Sequence, residues 1–168
     1  MYAVEKFAHP IQADARIVIS RSEIEGTRLT ERIDFAYSND VLEHVSDVLA
    51  TMQAVFALLR PGGRFVSSID LRGHNAFNNP ARPLDFLTCP DWLWRLMFSH
   101  MVTTNRFRAH AFMEAASSAG FRLVSTKALA LATPDYLESI RPHMLPRFRG
   151  LPDSDLAILQ LLLVLERS

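Results

Sequence analysis

Two short stretches hold the side chains best equipped for chemistry. The first is Ser38-Asn39-Asp40, with Leu42, Glu43 and His44 directly behind it; the second is Asp70 with His74, four residues on. A carboxylate beside an imidazole can hold and release a proton near neutral pH, which is what general acid–base catalysis requires. Ser, Asn and Asp at the end of an apolar run offer hydrogen bonds to a ligand, and they equally make an ordinary polar strand-to-helix turn. Glu43, His44, Cys89 and His100 are metal-capable types, but no C-x-x-C or H-x-x-x-H spacing relates them, so no metal site is expected. Arg106 and Arg108 flank Phe107, which suits a clamp on an acidic substrate or a solvated helix start. Phe86, Trp92, Trp94 and Phe98 fit the roof of a substrate pocket or a core under a long loop.

The elements that must position these residues are legible around the two stretches. Residues 33–37 (IDFAY) are short and β-rich, and Ser38-Asn39-Asp40 ends them. Beyond them, Val45, Val48, Leu49, Met52, Val55, Phe56 and Leu59 fall on one helical face, with Ser46 as the expected N-cap. Arg60-Pro61-Gly62-Gly63 stops that helix, and residues 64–70 (RFVSSID) return to strand character. Strand, helix and strand make a βαβ unit with parallel strands, so the two polar stretches lie at neighbouring carboxyl ends. Open α/β sheets bind ligands at such ends.

The rest of the chain supports an α/β sheet domain. A strand is expected over residues 15–20, and a loop insertion over residues 71–105 that serves as a lid or substrate loop. Pro90 opens a helix expected to run to about Met101 and to bury Trp92, Leu93, Leu96 and Met97. A second helix covers residues 106–119 with a poor N-cap at Ala109-His110, and Gly120 ends it. Strands follow over residues 121–130 and 158–166, the latter apolar on both faces as in a strand covered on both sides.

Composition narrows the function classes. At 168 residues the chain is long enough for one domain with a substantial core. Its 18 basic residues balance 18 acidic ones, so no net field draws it to nucleic acid or an anionic membrane. A single cysteine excludes an internal disulfide and suits a reducing cytoplasm. No apolar run approaches membrane-spanning length, and the N-terminus lacks a signal-peptide layout.

The segment SNDVLEHV followed by LRPGGRF resembles the second half of the class I S-adenosylmethionine-dependent methyltransferases. Downstream, IDLR with His74, then PLDFL, Trp92, NRFR and AGF are similar in order and spacing to one branch of that family, and LVLER fits its antiparallel seventh strand. The resemblance spans residues 17–168. It implies a partial Rossmann-like sheet, mostly parallel with an antiparallel C-terminal strand. It also implies methyl transfer from S-adenosylmethionine to a small-molecule acceptor. On this resemblance Ser38, Asn39 and Asp40 line the methionine end of the cofactor with Leu42 packed nearby, and Asp70 or His74 takes the acceptor's proton.

Departures from the family pattern set further expectations. No G-x-G turn occurs, Gly73 replaces the acid usual in "IDLRDH", and Ala109-His110 replaces a polar capping pair. The expectation is a single methyltransferase-like domain that begins after its cofactor-binding front half, with weak or no S-adenosylmethionine binding by this chain alone. A catalytically inactive, partner-binding module is the rival reading. In either case a homodimer or partner is expected to cover the exposed sheet edge.

Overall fold

The computed structural model describes residues 33–97 and 104–168. The strand expected over residues 15–20, the end of the helix expected to reach Met101, and Phe98 and His100 lie outside them. Strand β1 (Ile33–Asn39) leads through a 3₁₀ turn (Leu42–His44) into helix α1 (Val48–Leu58) and strand β2 (Leu59–Asp70). Helices α2 (Asp91–Met97) and α3 (Ala109–Ser118), strand β3 (Phe121–Leu131), short helices α4 (Pro134–Ile140), α5 (Pro146–Arg149) and α6 (Asp153–Leu156), and strand β4 (Ile158–Arg167) follow.

The four described strands form one sheet in the order β1-β2-β4-β3. β1 and β2 are parallel, and β4 runs antiparallel to both β2 and β3. Three strands therefore share one direction and the C-terminal strand opposes them. Ile33 pairs with Leu59 but Phe35 with Arg64, so Arg60-Pro61-Gly62-Gly63 bulges out at the start of β2. Gly62 takes φ +79°, and a Cβ at Gly63 would stand 2.8 Å from the Arg60 carbonyl. The bulge needs both glycines.

Helices α1 and α3 cover one face of this sheet. Met52, Val55, Phe112 and Ala116 meet Phe65, Ile69, Leu161, Leu163 and Leu165, all buried. The opposite face is not sealed in the same way: Val66, Leu162 and Val164 stay half-buried and Tyr37 is exposed. A second core lies under α4 to α6, where Leu84, Phe86, Leu87 and Trp94 pack on Leu137, Ile140, Phe148 and Leu156.

Several local expectations are corrected. The N-cap of α1 is Asp47, whose side chain accepts from the Ala50 amide at 2.9 Å, because the 3₁₀ turn delays the helix past Ser46. In α2 the buried tryptophan is Trp94; Trp92 and Leu96 are exposed. Neither Arg106 nor Arg108 is a solvated helix start, since both guanidiniums are drawn inward. The missing cap of α3 arrives from 45 residues away: Asp155 accepts from the His110 amide at 2.7 Å and faces the His110 ring at 2.6 Å. Gly73 has a steric reason, as a Cβ there would meet the Phe77 carbonyl at 2.8 Å.

Candidate active site

Parallel pairing of β1 and β2 brings the two polar stretches together. Asn39 pairs with Ser68, one residue short of Asp40 and two short of Asp70. Asp40 adopts φ 52°, a left-handed conformation that Asp tolerates better than most residues. Its amide donates to the Ser68 carbonyl at 2.9 Å, and its carboxylate accepts from Asn39 Nδ2 at 2.9 Å and Ser68 Oγ at 3.4 Å. Ser38 Oγ meets Ser67 Oγ at 2.7 Å, and Tyr37 donates to Asn39 Oδ1 at 3.1 Å. Asn39 remains exposed and Asp40 half-exposed, so the rim can still take a ligand. The Leu42 side chain is 1 % exposed, part of the core under α1 just behind Asp40.

At the end of β2, Arg72 grips Asp70 with Nε at 2.8 Å and Nη2 at 2.7 Å, and its amide adds a third bond at 3.0 Å. His74 Nε2 lies 3.3 Å from the same carboxylate. Burial opposes ionisation of Asp70, but bonds from His74 and Arg72 outweigh it and hold the carboxyl well below the usual range. In turn, Asp70 raises the His74 imidazole above its ordinary value against the effect of burial. Asp70, Arg72 and His74 line a cleft of about 420 Å³ with Gly73, Asn78 and Pro83. His44 faces His74 with ring centroids 5.2 Å apart.

Two residues named in the sequence take positions there that it did not reveal. Glu43 is buried at 2 % exposure, and among the described residues neither carboxylate oxygen has a hydrogen-bond partner. Burial pushes its pKa up to about 7, with the Asp40 and Asp70 charges adding to the push. Arg108 is fully buried and donates to the carbonyls of Leu71 (2.6 Å), Leu156 (3.1 Å) and Ile158, locking the end of β2 to the start of β4. Its carbonyl partners carry no side-chain signal in the sequence; only a cation at an apolar helix start hints at it. The other proposed clamp, Arg106, bonds Asp91 and the Cys89 carbonyl. Of the proposed roof, Phe86 and Trp94 are core and Trp92 is exposed.

Taken together, three carboxylates (Asp40, Glu43, Asp70) and one guanidinium (Arg72) gather at adjoining strand ends. With Asp70 paired to Arg72 and His74 and Glu43 buried behind them, the half-exposed Asp40 is the carboxylate at the crevice that suits a cationic ammonium. The residues present therefore fit S-adenosylmethionine.

This α/β Rossmann-like sheet, with its polar crevice at the carboxyl ends, is that of the class I S-adenosylmethionine-dependent methyltransferases. Residues 1–126 match the family described as methyltransferase domain, and the chain belongs to that family. No curated protein matches it. Among solved structures it is similar to an S-adenosylmethionine-dependent methyltransferase from Mesorhizobium loti, with TM-score 0.54 and 21 % identity over 92 % of this chain and 72 % of that one. Geranyl diphosphate C-methyltransferase from Streptomyces coelicolor A3(2), solved with Mg²⁺, geranyl diphosphate and S-adenosyl-L-homocysteine, gives TM-score 0.51 and 13 % identity over 88 % of this chain and 51 % of that one. Phosphoethanolamine N-methyltransferase 2 from Haemonchus contortus, with S-adenosyl-L-methionine, gives 0.50 and 12 % over 86 % and 36 %. At these identities the likeness is one of fold. No described helix is long and apolar enough to cross a membrane.

Proposed function

We propose that the crevice at the ends of β1 and β2 is a site of methyl transfer from S-adenosylmethionine to a small-molecule acceptor. The observation that carries this reading is the Asp70–His74 pair, set beside Asp40 by parallel strands. When bound, the cofactor supplies the methyl group and the sulfonium from which it departs. Asn39 and Asp40 are the side chains placed to hold its ammonium end, Asp40 as counter-charge and Asn39 as orienting amide.

The chain's own contribution to chemistry centres on His74. With Asp70 accepting from Nε2–H, the neutral imidazole presents Nδ1 as the proton acceptor. Asp70 is fixed by three bonds from Arg72, so the ring it orients has little freedom. A base held in line contributes roughly 10²–10⁴-fold when the acceptor must lose a proton. Arg108 supports the pair indirectly by holding the Leu71 carbonyl, next to Asp70.

The experiment is transfer of a tritiated methyl group from S-adenosylmethionine to a panel of small hydroxyl, amine and carbon acceptors. Transfer that falls by about 10²-fold or more in both Asp70→Asn and His74→Gln supports the assignment. Transfer unchanged in both variants, each shown to be folded, removes it.

A further inference from the structure

A second cavity, of about 610 Å³, opens between α2, α5 and the start of α3, and it shares no lining residue with the Asp70–His74 cleft. Cavities of this size are typical of small-molecule sites, whereas well-packed cores leave few voids larger than a water. Its apolar wall is Trp94, Phe107, Phe148 and Leu151. Four arginines share the lining: Arg95, Arg106, Arg147 and Arg108, the last with its guanidinium turned to the carbonyls of Leu71, Leu156 and Ile158.

The charges of this wall do not balance. Arg147 donates to both oxygens of Asp91, at 2.6 and 2.7 Å, and Arg106 donates to the same carboxylate. One negative group thus serves two cations, while Arg95 has no ion-pair partner among the described residues. His110, also at the rim, is committed to Asp155. Arg106 lies 4.6 Å over the Trp94 ring and Arg147 4.6 Å over Phe148, so both cations rest on aromatic faces. Burial and, after it, the Arg147 charge lower the Arg106 pKa against the pull of Asp91. Arg147, about half exposed, remains able to meet an incoming anion.

We propose that this cavity binds a planar aromatic carboxylate, its rings against Trp94, Phe107 and Phe148 and its carboxylate on Arg147 and Arg95. The aromatic wall supplies the apolar contact, and the surplus guanidinium charge selects the acid over its uncharged counterpart. This site is independent of the methyl-transfer reading.

The test is fluorescence titration of the full chain with 1-pyrenebutyrate and with uncharged 1-pyrenebutanol, read by energy transfer from tryptophan. One saturable site is expected for the acid, about tenfold tighter than for the alcohol. Arg147→Met should weaken the acid about tenfold and leave the alcohol within about twofold; Arg95→Met, at an exposed position, should do the same to a smaller degree. His74→Gln should leave both ligands within about twofold, since it lines the other cleft. The proposal is overturned if acid and alcohol bind alike, if binding never saturates at one site, if both arginine variants bind the acid as wild type does, or if His74→Gln abolishes binding.

Discussion

Replacing Glu43 by glutamine should flatten the pH dependence of stability in a way that can be worked out beforehand. Glu43 is 2 % exposed, and its oxygens find no hydrogen bond among the described residues. Burial, reinforced by Asp40 and Asp70, raises its pKa from 4.5 to about 7. A carboxyl group that binds its proton more tightly in the folded state weakens folding as pH rises between those two values. The penalty is about 0.8 kcal/mol at pH 5 and about 3.3 kcal/mol at pH 8, a difference of about 2.5 kcal/mol. Glu43→Gln cannot ionise, so it lacks this slope, while its buried amide adds a pH-independent cost of about 1–3 kcal/mol. Urea unfolding at pH 5, 6, 7 and 8 reads the contrast, with the wild type losing about 2.5 kcal/mol relative to the variant across the series. Profiles that stay parallel to within about 0.5 kcal/mol would refute the reasoning, because Glu43 would then be solvated or paired.

Asp70→Asn removes the main influence that raises His74, so the imidazole signal followed by NMR should titrate at lower pH than in the wild type. The stability that the raised histidine contributes is present below its unfolded value and lost as pH rises through the folded one, so the variant should lose that contribution chiefly at acid pH. Phe112→Ala opens a cavity at a fully buried position between α3 and the sheet, and denaturant melts should show a loss of about 3–5 kcal/mol. Asp155→Ala strips the remote cap from α3 and should cost about 1–2 kcal/mol by the same melts, with Asp155→Asn recovering part because its amide oxygen can still accept from His110.

The βαβ unit was readable because two periodicities change cleanly along it. Apolar residues spaced as one helical face separate two short β-rich runs, and Pro61-Gly62-Gly63 marks the join. The C-terminal strand was equally plain from its length and apolar content, and its antiparallel direction was what the family resemblance implied. Juxtaposition of Asp40 with Asp70 then followed from parallel pairing alone. What was not readable depends on partners distant in sequence. Asp155 caps a helix that lacks its own cap, and Arg108 donates through its two terminal nitrogens to three carbonyls that no side-chain pattern reveals. Ser46 and Asp47 are both good caps, and only the 3₁₀ turn before them decides between the two. Trp92 and Trp94 sit two apart on α2, so they cannot share a buried face, and the arm that packs on α4 to α6 determines which one is inside.

The most direct test of the methyl-transfer crevice is to map S-adenosylhomocysteine onto the isotopically labelled chain by amide NMR, titrating to millimolar concentration so that weak binding is also seen. Shifts concentrated at Asn39, Asp40, Asp70 and His74 are the expected result. Saturable shifts that cluster elsewhere, or an unchanged spectrum at the highest concentration, would contradict it.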